Sequence, residues 1–95
     1  MDLYASKAVI NKIEEIHSVT FIEAEEAFFN FKGKMLEEDR RQHRTKPPTY
    51  WFLSETFDER LLKIVVKIDR ENNIAFLRTA YEPSQEEINF YEDKT

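Results

Sequence analysis

The sequence has no cysteine and almost no glycine, and these two absences exclude several kinds of site. Without cysteine the chain has neither disulfide bonds nor thiolate ligands for zinc or iron–sulfur clusters. A single glycine, Gly33, cannot form the glycine-rich loop that cradles phosphates in nucleotide-binding proteins. The two histidines, His17 and His43, do not form a paired metal-binding motif. We therefore expect neither a metal nor a cofactor.

Long apolar runs are also absent. No stretch approaches the length of about 20 apolar residues that spans a membrane. The first four residues lack the basic flank and apolar stretch of a signal peptide. A chain of 95 residues has room for one hydrophobic core. The sequence thus predicts a single domain over residues 1–95 that is soluble and cytoplasmic.

Positive charge is scarce overall but concentrated in one segment. The net charge is -5, which counts against a general nucleic-acid-binding protein. Residues 40–46 nevertheless read Arg-Arg-Gln-His-Arg-Thr-Lys, and this basic segment contains Arg40, Arg41, His43, Arg44 and Lys46. Arginine clamps phosphate oxygens in pairs, and histidine exchanges a proton near neutral pH. The segment therefore predicts a phosphate-binding site, although pairing with the acidic residues 37–39 just before it explains it equally well.

The pattern of apolar and capping residues predicts an α+β fold. An amphipathic helix is expected over 5–17, a second helix from the capping box Thr20–Glu23 to Gly33, and a short C-terminal helix after the capping box Ser84–Glu87. Strands are expected at 35–38, 49–53, 60–69 and 74–80. Since consecutive strands joined by short turns are antiparallel, we expect a twisted antiparallel sheet of about four strands with the helices on one face.

Four further residues are candidates for a site on this sheet. Lys63 and Lys67 share one face of the strand over 60–69, where they either bind a nucleic-acid backbone or are ordinary outward lysines. Arg78 lies near the end of the last strand, where it either contacts a ligand or pairs with a carboxylate of a helix. Tyr81 follows it and either binds a phosphate or a base, or is simply half-buried.

Three segments in the same order carry a resemblance to a known family. The first contains Lys7-Ala8, Asn11 and the run Val19-Thr20-Phe21-Ile22-Glu23-Ala24, the second His43-Arg44 and Arg60-Leu61-Leu62, and the third Thr79-Ala80-Tyr81 with Pro83-Ser84, Glu87 and Tyr91. In this pattern the chain resembles the BrnT family of bacterial toxins, within the wider RelE-like ribonuclease group. Tyr81 stands where that family usually has arginine.

The resemblance implies the toxin of a type II toxin–antitoxin pair. Such a protein cleaves RNA without a metal and is neutralised by a cognate antitoxin, typically a ribbon-helix-helix protein that carries the complex to promoter DNA. On this reading His43, Arg44, Arg78 and Tyr81 are catalytic, and Arg40, Arg41, Lys46, Lys63 and Lys67 bind RNA. The alternatives are a non-catalytic BrnT-like interaction module and, ranked last, a small DNA-binding regulator, because no helix carries a basic stripe for the major groove.

Overall fold

The computed structural model describes residues 1–38 and 48–95, which form three helices and a five-stranded sheet. The elements in chain order are β1 (Asp2–Tyr4), α1 (Lys7–His17), α2 (Phe21–Asn30), β2 (Leu36–Glu37), β3 (Thr49–Glu55), β4 (Leu61–Asp69), β5 (Ile74–Tyr81) and α3 (Gln85–Lys94). The α+β class predicted from the sequence is confirmed. Within the described residues, no helix has the length and apolar character needed to cross a bilayer.

The sheet is mixed rather than purely antiparallel. Its strand order is β1-β5-β4-β3-β2, and each neighbouring pair from β2 to β5 is antiparallel. The expected count of about four strands omitted β1, which pairs in parallel with the first three residues of β5. Three residues are too few to show a periodic pattern, so the sequence did not predict this strand.

The first two helices bury their apolar sides against one face of the sheet. On β4 this face carries alternating residues, Leu62, Ile64, Val66 and Ile68, all buried in one core with Ile13 of α1 and Phe28 of α2. The other face of β4 carries Lys63, Val65 and Lys67. We call these the helix-packed face and the open face.

Helix α3 lies on the open face, contrary to the expectation that all helices share one side. The ring of Trp51 on β3 contacts Phe90 and Tyr91 of α3, and Glu87 of α3 reaches Lys63 on β4. The helix covers the end of the open face near the last residues of β5, and no helix of the described residues covers the opposite end.

Both predicted capping boxes are present. Thr20 and Glu23 exchange side-chain-to-backbone hydrogen bonds at the start of α2, and Ser84 and Glu87 do the same at α3. However, α2 ends at Asn30, and the prediction that Gly33 ends it was wrong, since Gly33 does not adopt a positive φ. A side chain at Gly33 would instead lie against Phe31, which explains the small residue by packing.

Arg60 links three parts of the chain near the start of β4. Its guanidinium donates to Glu23 at 3.0 Å, to Glu82 at 2.7 Å and to the Ser18 carbonyl oxygen at 3.0 Å. The hydrogen bonds to both carboxylates raise the pKa of Arg60. This arginine belongs to a segment that carries the family resemblance, and its contacts are structural.

Candidate functional site

The basic segment lies outside the described residues, so the structure does not place Arg40, Arg41, His43, Arg44 or Lys46. Both of its flanks are described. The Glu38 N–H donates to the Thr49 carbonyl at 2.8 Å, and the Ile68 N–H donates to the Pro48 carbonyl at 3.1 Å. The chain therefore leaves and rejoins the sheet beside the last residues of β4.

The distribution of charge makes this segment important for any anionic ligand. Residues 39–47 hold four of the 14 Lys and Arg residues and one of the 19 Asp and Glu residues. The rest of the chain thus has 10 basic against 18 acidic side chains, a net charge of -8. An anionic ligand must avoid most of the described surface and bind where unpaired cations are locally concentrated.

One cluster of polar and aromatic groups lies under α3 and contains two of the predicted site residues. The Lys63 Nζ is 2.6 Å from the Glu87 Oε2 and lies 4.6 Å from the centre of a Trp51 ring. The Tyr81 hydroxyl donates to the same Glu87 oxygen at 3.0 Å. We call Trp51, Lys63, Tyr81 and Glu87 the Lys63 cluster.

The protonation states in the Lys63 cluster are fixed by these contacts. Burial alone would raise the pKa of Glu87, but hydrogen bonds from Lys63 and from the Ser84 N–H outweigh it and lower the pKa to about 2. Burial likewise opposes the charge on Lys63, yet the contacts with Glu87 and Tyr81 raise its pKa. At neutral pH the cluster holds a stable ion pair, so Lys63 is not a free cation.

Tyr81 of β5 contacts one residue each of α1, β4 and α3. Its ring is 5.1 Å from the ring of His17 at the end of α1, and 5.5 Å separates its centre from the Lys63 Nζ. This contact between His17 and Tyr81 was not predicted from the sequence. The Tyr81 phenol is therefore oriented and hydrogen-bonded before any ligand arrives.

Arg78 lies in a different environment from Tyr81. Thr79 of β5 is opposite Val65 and Leu77 is opposite Val66, so a β-bulge leaves Arg78 without a partner on β4. The side chain is exposed and makes no ion pair with any described residue. It lines a groove with Lys12 of α1, and no described contact joins it to Tyr81 or Lys63.

Lys67 lies in a row of side chains that crosses the uncovered end of the open face. Tyr4 is opposite Phe76, Phe76 opposite Lys67, and Lys67 opposite Thr49. At 4.7–4.9 Å between neighbouring strands, this row is about 14 Å long. It ends next to Pro48, where the basic segment rejoins the sheet. Lys67 is half-buried and has no ion-pair partner among the residues that the structure describes.

The open face therefore has two ends with different chemistry. At the α3 end the lysine and the phenol are already engaged by one carboxylate. At the other end Lys67 has no ion-pair partner among the described residues, and an aromatic pair, Tyr4 and Phe76, is in edge-to-face contact at 5.8 Å. The second end could accept phosphate and stack a planar ring without breaking an existing ion pair.

Comparisons with known proteins do not identify the chain. No family model matches the sequence, and no curated protein matches it significantly.

Proposed function

We propose that this protein is the toxin of a type II toxin–antitoxin pair and acts in the cytoplasm as a metal-independent ribonuclease. The proposal rests on the resemblance of three ordered segments to the BrnT family and on one observation of the fold. A row of uncharged and cationic side chains from Tyr4 through Phe76 and Lys67 ends at Thr49, three residues after Lys46, the last residue of the basic segment. In a chain otherwise dominated by acidic groups, the most basic segment thus directly precedes in sequence the strand that ends this row.

The reaction we propose is transfer of the phosphoryl group within RNA. The ribose 2′-oxygen attacks the adjacent phosphorus, the bond to the 5′-oxygen breaks, and a 2′,3′-cyclic phosphate and a 5′-hydroxyl result. The 2′-hydroxyl must lose a proton and the departing 5′-oxygen must gain one. His43 is the proton-transfer group in this proposal, and Arg44 stabilises the charge that develops on the phosphoryl oxygens.

The described residues support different roles for Arg78 and Tyr81. Arg78 makes no ion pair with the part of the chain that the structure describes, so it can meet a phosphate oxygen. Tyr81 already donates to Glu87, so it can position RNA through its ring but reaches a phosphate with its hydroxyl only by leaving that carboxylate. Lys63 likewise reaches a phosphate only by leaving Glu87, whereas Lys67 has no ion-pair partner among the described residues.

Expression from a tightly repressed promoter in a bacterial host tests the proposal. Induction of the unaltered protein should arrest growth and degrade total RNA, and purified protein should cleave RNA in the presence of a chelator. Loss of a general acid or base lowers the rate by about 10²–10⁴, so His43→Ala should relieve the arrest.

The matched control is Gln42→Ala, which removes the neighbouring polar side chain, a residue with no role in the proposal. It should leave the arrest in place. A fully toxic His43→Ala variant would remove His43 from the mechanism, and an unaltered protein that neither arrests growth nor cleaves RNA would refute the proposal. Restoration of growth by a co-expressed neighbouring reading frame, especially one encoding a ribbon-helix-helix protein, would identify the antitoxin that carries the complex to promoter DNA.

A second candidate function, a non-catalytic module that holds a partner protein, is favoured by the Lys63 cluster. Glu87 neutralises Lys63 and occupies Tyr81, and beside them Trp51 and the half-exposed Phe90 line a groove of about 570 Å³. Such a groove suits apolar side chains of a protein better than a phosphate backbone. This candidate predicts a stable complex with a partner and no change in RNA or growth when the protein is expressed alone.

A further inference from the structure

A groove at the edge of the sheet lies away from the Lys63 cluster. β1 ends at Tyr4, so no strand of residues 1–38 or 48–95 lies beside the second half of β5 on that edge. Helix α1 lies along this unpaired stretch and leaves a groove of about 390 Å³ between the helix and the strand. This volume is within the range typical of small-ligand sites.

As far as the described residues show, the walls of this edge groove carry cations and no carboxylate. Lys12 of α1 and Arg78 of β5 face it, together with Ser6, Val9 and the aromatic pair Tyr4 and Phe76. Neither Lys12 nor Arg78 has a hydrogen-bond or ion-pair partner among the described residues. By contrast, the grooves beside Trp51, Phe57 and Pro83 each include at least one glutamate. The edge groove is therefore a local exception to the acidic character of this chain.

Tyr4 adds a flat and partly fixed surface to the groove. It is 56 % exposed, and its ring meets Phe76 edge-to-face with an interplanar angle of 76°. Contact with Phe76 limits the orientations of the tyrosine while one face stays available. Proteins that bind single-stranded nucleic acids stack the bases on exposed aromatic rings and bind the phosphates with nearby cations.

The edge groove continues into the row across the open face. Tyr4 and Phe76 begin that row, and Lys67 follows directly on β4. The next row outward carries Asp2 and Asp69, and Asp69 accepts hydrogen bonds from Asn72. A polyanion would therefore follow the row through Lys67 rather than spread toward the outer end of the sheet.

We propose that the edge groove binds the backbone of single-stranded RNA, with phosphates on Lys12 and Arg78 and a base stacked on Tyr4. The inference rests on the proposed ribonuclease function and assigns to Arg78 the task of holding the RNA backbone. Free phosphate and a mononucleotide share the phosphate chemistry of RNA, and the experiment separates them from it.

The test uses the full chain and a fluorescein-labelled 12-nucleotide RNA of mixed sequence with 2′-O-methyl groups. This RNA cannot undergo the proposed cleavage, because the attacking hydroxyl is blocked. Binding is followed by fluorescence anisotropy between 25 and 200 mM salt for the unaltered protein, for Lys12→Gln/Arg78→Gln and for Tyr4→Leu. Lys32→Gln/Lys34→Gln is the matched control, because it removes the same charge from two exposed lysines elsewhere on the surface.

Lys12→Gln/Arg78→Gln should bind the 12-nucleotide RNA at least about tenfold more weakly than the unaltered protein. The slope of log K against log salt concentration should become shallower by roughly 1.4, which corresponds to two lost phosphate contacts. Tyr4→Leu should weaken binding about 5- to 150-fold, the range of a lost base stack, with the salt dependence unchanged. Binding by the Lys32/Lys34 control should remain within about threefold of the unaltered protein. Groove variants that bind as tightly as the control would overturn the inference.

Two outcomes distinguish this inference from the proposed function. Groove-dependent RNA binding by a protein that cleaves no RNA supports the groove and refutes the ribonuclease. Undiminished RNA cleavage by the groove variants, together with unchanged binding, refutes the groove alone. Titration with inorganic phosphate and with uridine monophosphate completes the comparison. If either saturates Lys12 and Arg78 at micromolar concentration while the 12-mer fails to displace it, the ligand is a small anion and the RNA assignment is wrong.

Discussion

Replacing Glu87 with glutamine should destabilise the fold through a single lost charge. One carboxylate oxygen of Glu87 accepts from the Ser84 N–H at 2.9 Å, and the other accepts from Lys63 at 2.6 Å and from Tyr81 at 3.0 Å. Glutamine has the same shape and can still accept from Ser84. Its amide nitrogen, however, would face the ammonium of Lys63, whose side chain is only 15 % exposed. The variant therefore leaves a largely buried cation without its counter-charge.

The pKa of Glu87 sets the size of the effect. Its lowering from 4.5 to about 2 corresponds to about 3 kcal/mol before solvent is considered. The side chain is 27 % exposed, so water screens part of the interaction and we expect a loss of about 2 kcal/mol at pH 7. For a domain of this size the melting temperature should fall by about 8–16 °C.

The pH dependence has a defined direction. Because the folded-state pKa of Glu87 lies below that of the unfolded chain, its stabilisation is complete above about pH 4.5 and is lost as the pH falls toward 2. The difference in unfolding free energy between the unaltered protein and Glu87→Gln should therefore narrow over this interval.

Urea unfolding followed by circular dichroism at pH 7, 5, 4 and 3 measures the difference directly. Glu86→Gln is the matched control, since Glu86 occupies the same first turn of α3 and is exposed. In a Lys63→Met background the cost of Glu87→Gln should shrink, because no buried ammonium remains to be left unpaired. The reasoning fails if Glu87→Gln and Glu86→Gln are equally stable at pH 7, or if the deficit does not depend on pH.

Two further predictions concern the backbone at the ends of α1 and α2. Ser18 ends α1 with φ 54° and ψ 39°, so Ser18→Gly should raise the free energy of unfolding by about 0.5–1 kcal/mol in thermal melts, and an unchanged or lower melting temperature would contradict this. A Cβ at Gly33 would lie 3.1 Å from the Phe31 ring, which itself stacks on Phe52 at 4.0 Å. Gly33→Ala should therefore destabilise by about 1 kcal/mol in urea titrations, and a stabilising effect would show that the Phe31 ring shifts freely.

The parts of the fold that the sequence predicted correctly are those specified by local patterns. Both capping boxes and the alternation along β4 depend on residues within a few positions of one another, and all three are confirmed. The parallel strand β1 was missed because its hydrogen-bonding partners lie about 70 residues away, on β5. The placement of α3 on the open face was also missed, since it depends on which side of the sheet Trp51 and Lys63 present to a helix far along the chain.

The site was harder to predict for two physical reasons. Charge pairing between Lys63 and Glu87 joins residues 24 positions apart, and only the packing of α3 on the open face brings them together. The bulge in β5 removes Arg78 from the alternation that would otherwise assign its side chain to one face. From the sequence Arg78 and Tyr81 look like members of one catalytic group, whereas the structure gives them separate neighbours.

The two candidate functions use different ends of the open face, so a partner protein at one end is compatible with RNA at the other. Lys63 and Lys67 are four residues apart on β4, a distance of about 13 Å. That distance exceeds the screening length of about 8 Å at physiological salt, so the acidic groups of α3 only weakly oppose an anion bound at Lys67. An apolar partner bound to Trp51 and Phe90 could therefore leave the row at Tyr4 and Lys67 accessible. To block RNA binding at that row, the partner would have to extend about 13 Å along β4. A partner that blocks RNA binding without contacting Lys67 or Tyr4 would show that the two ends do not act independently.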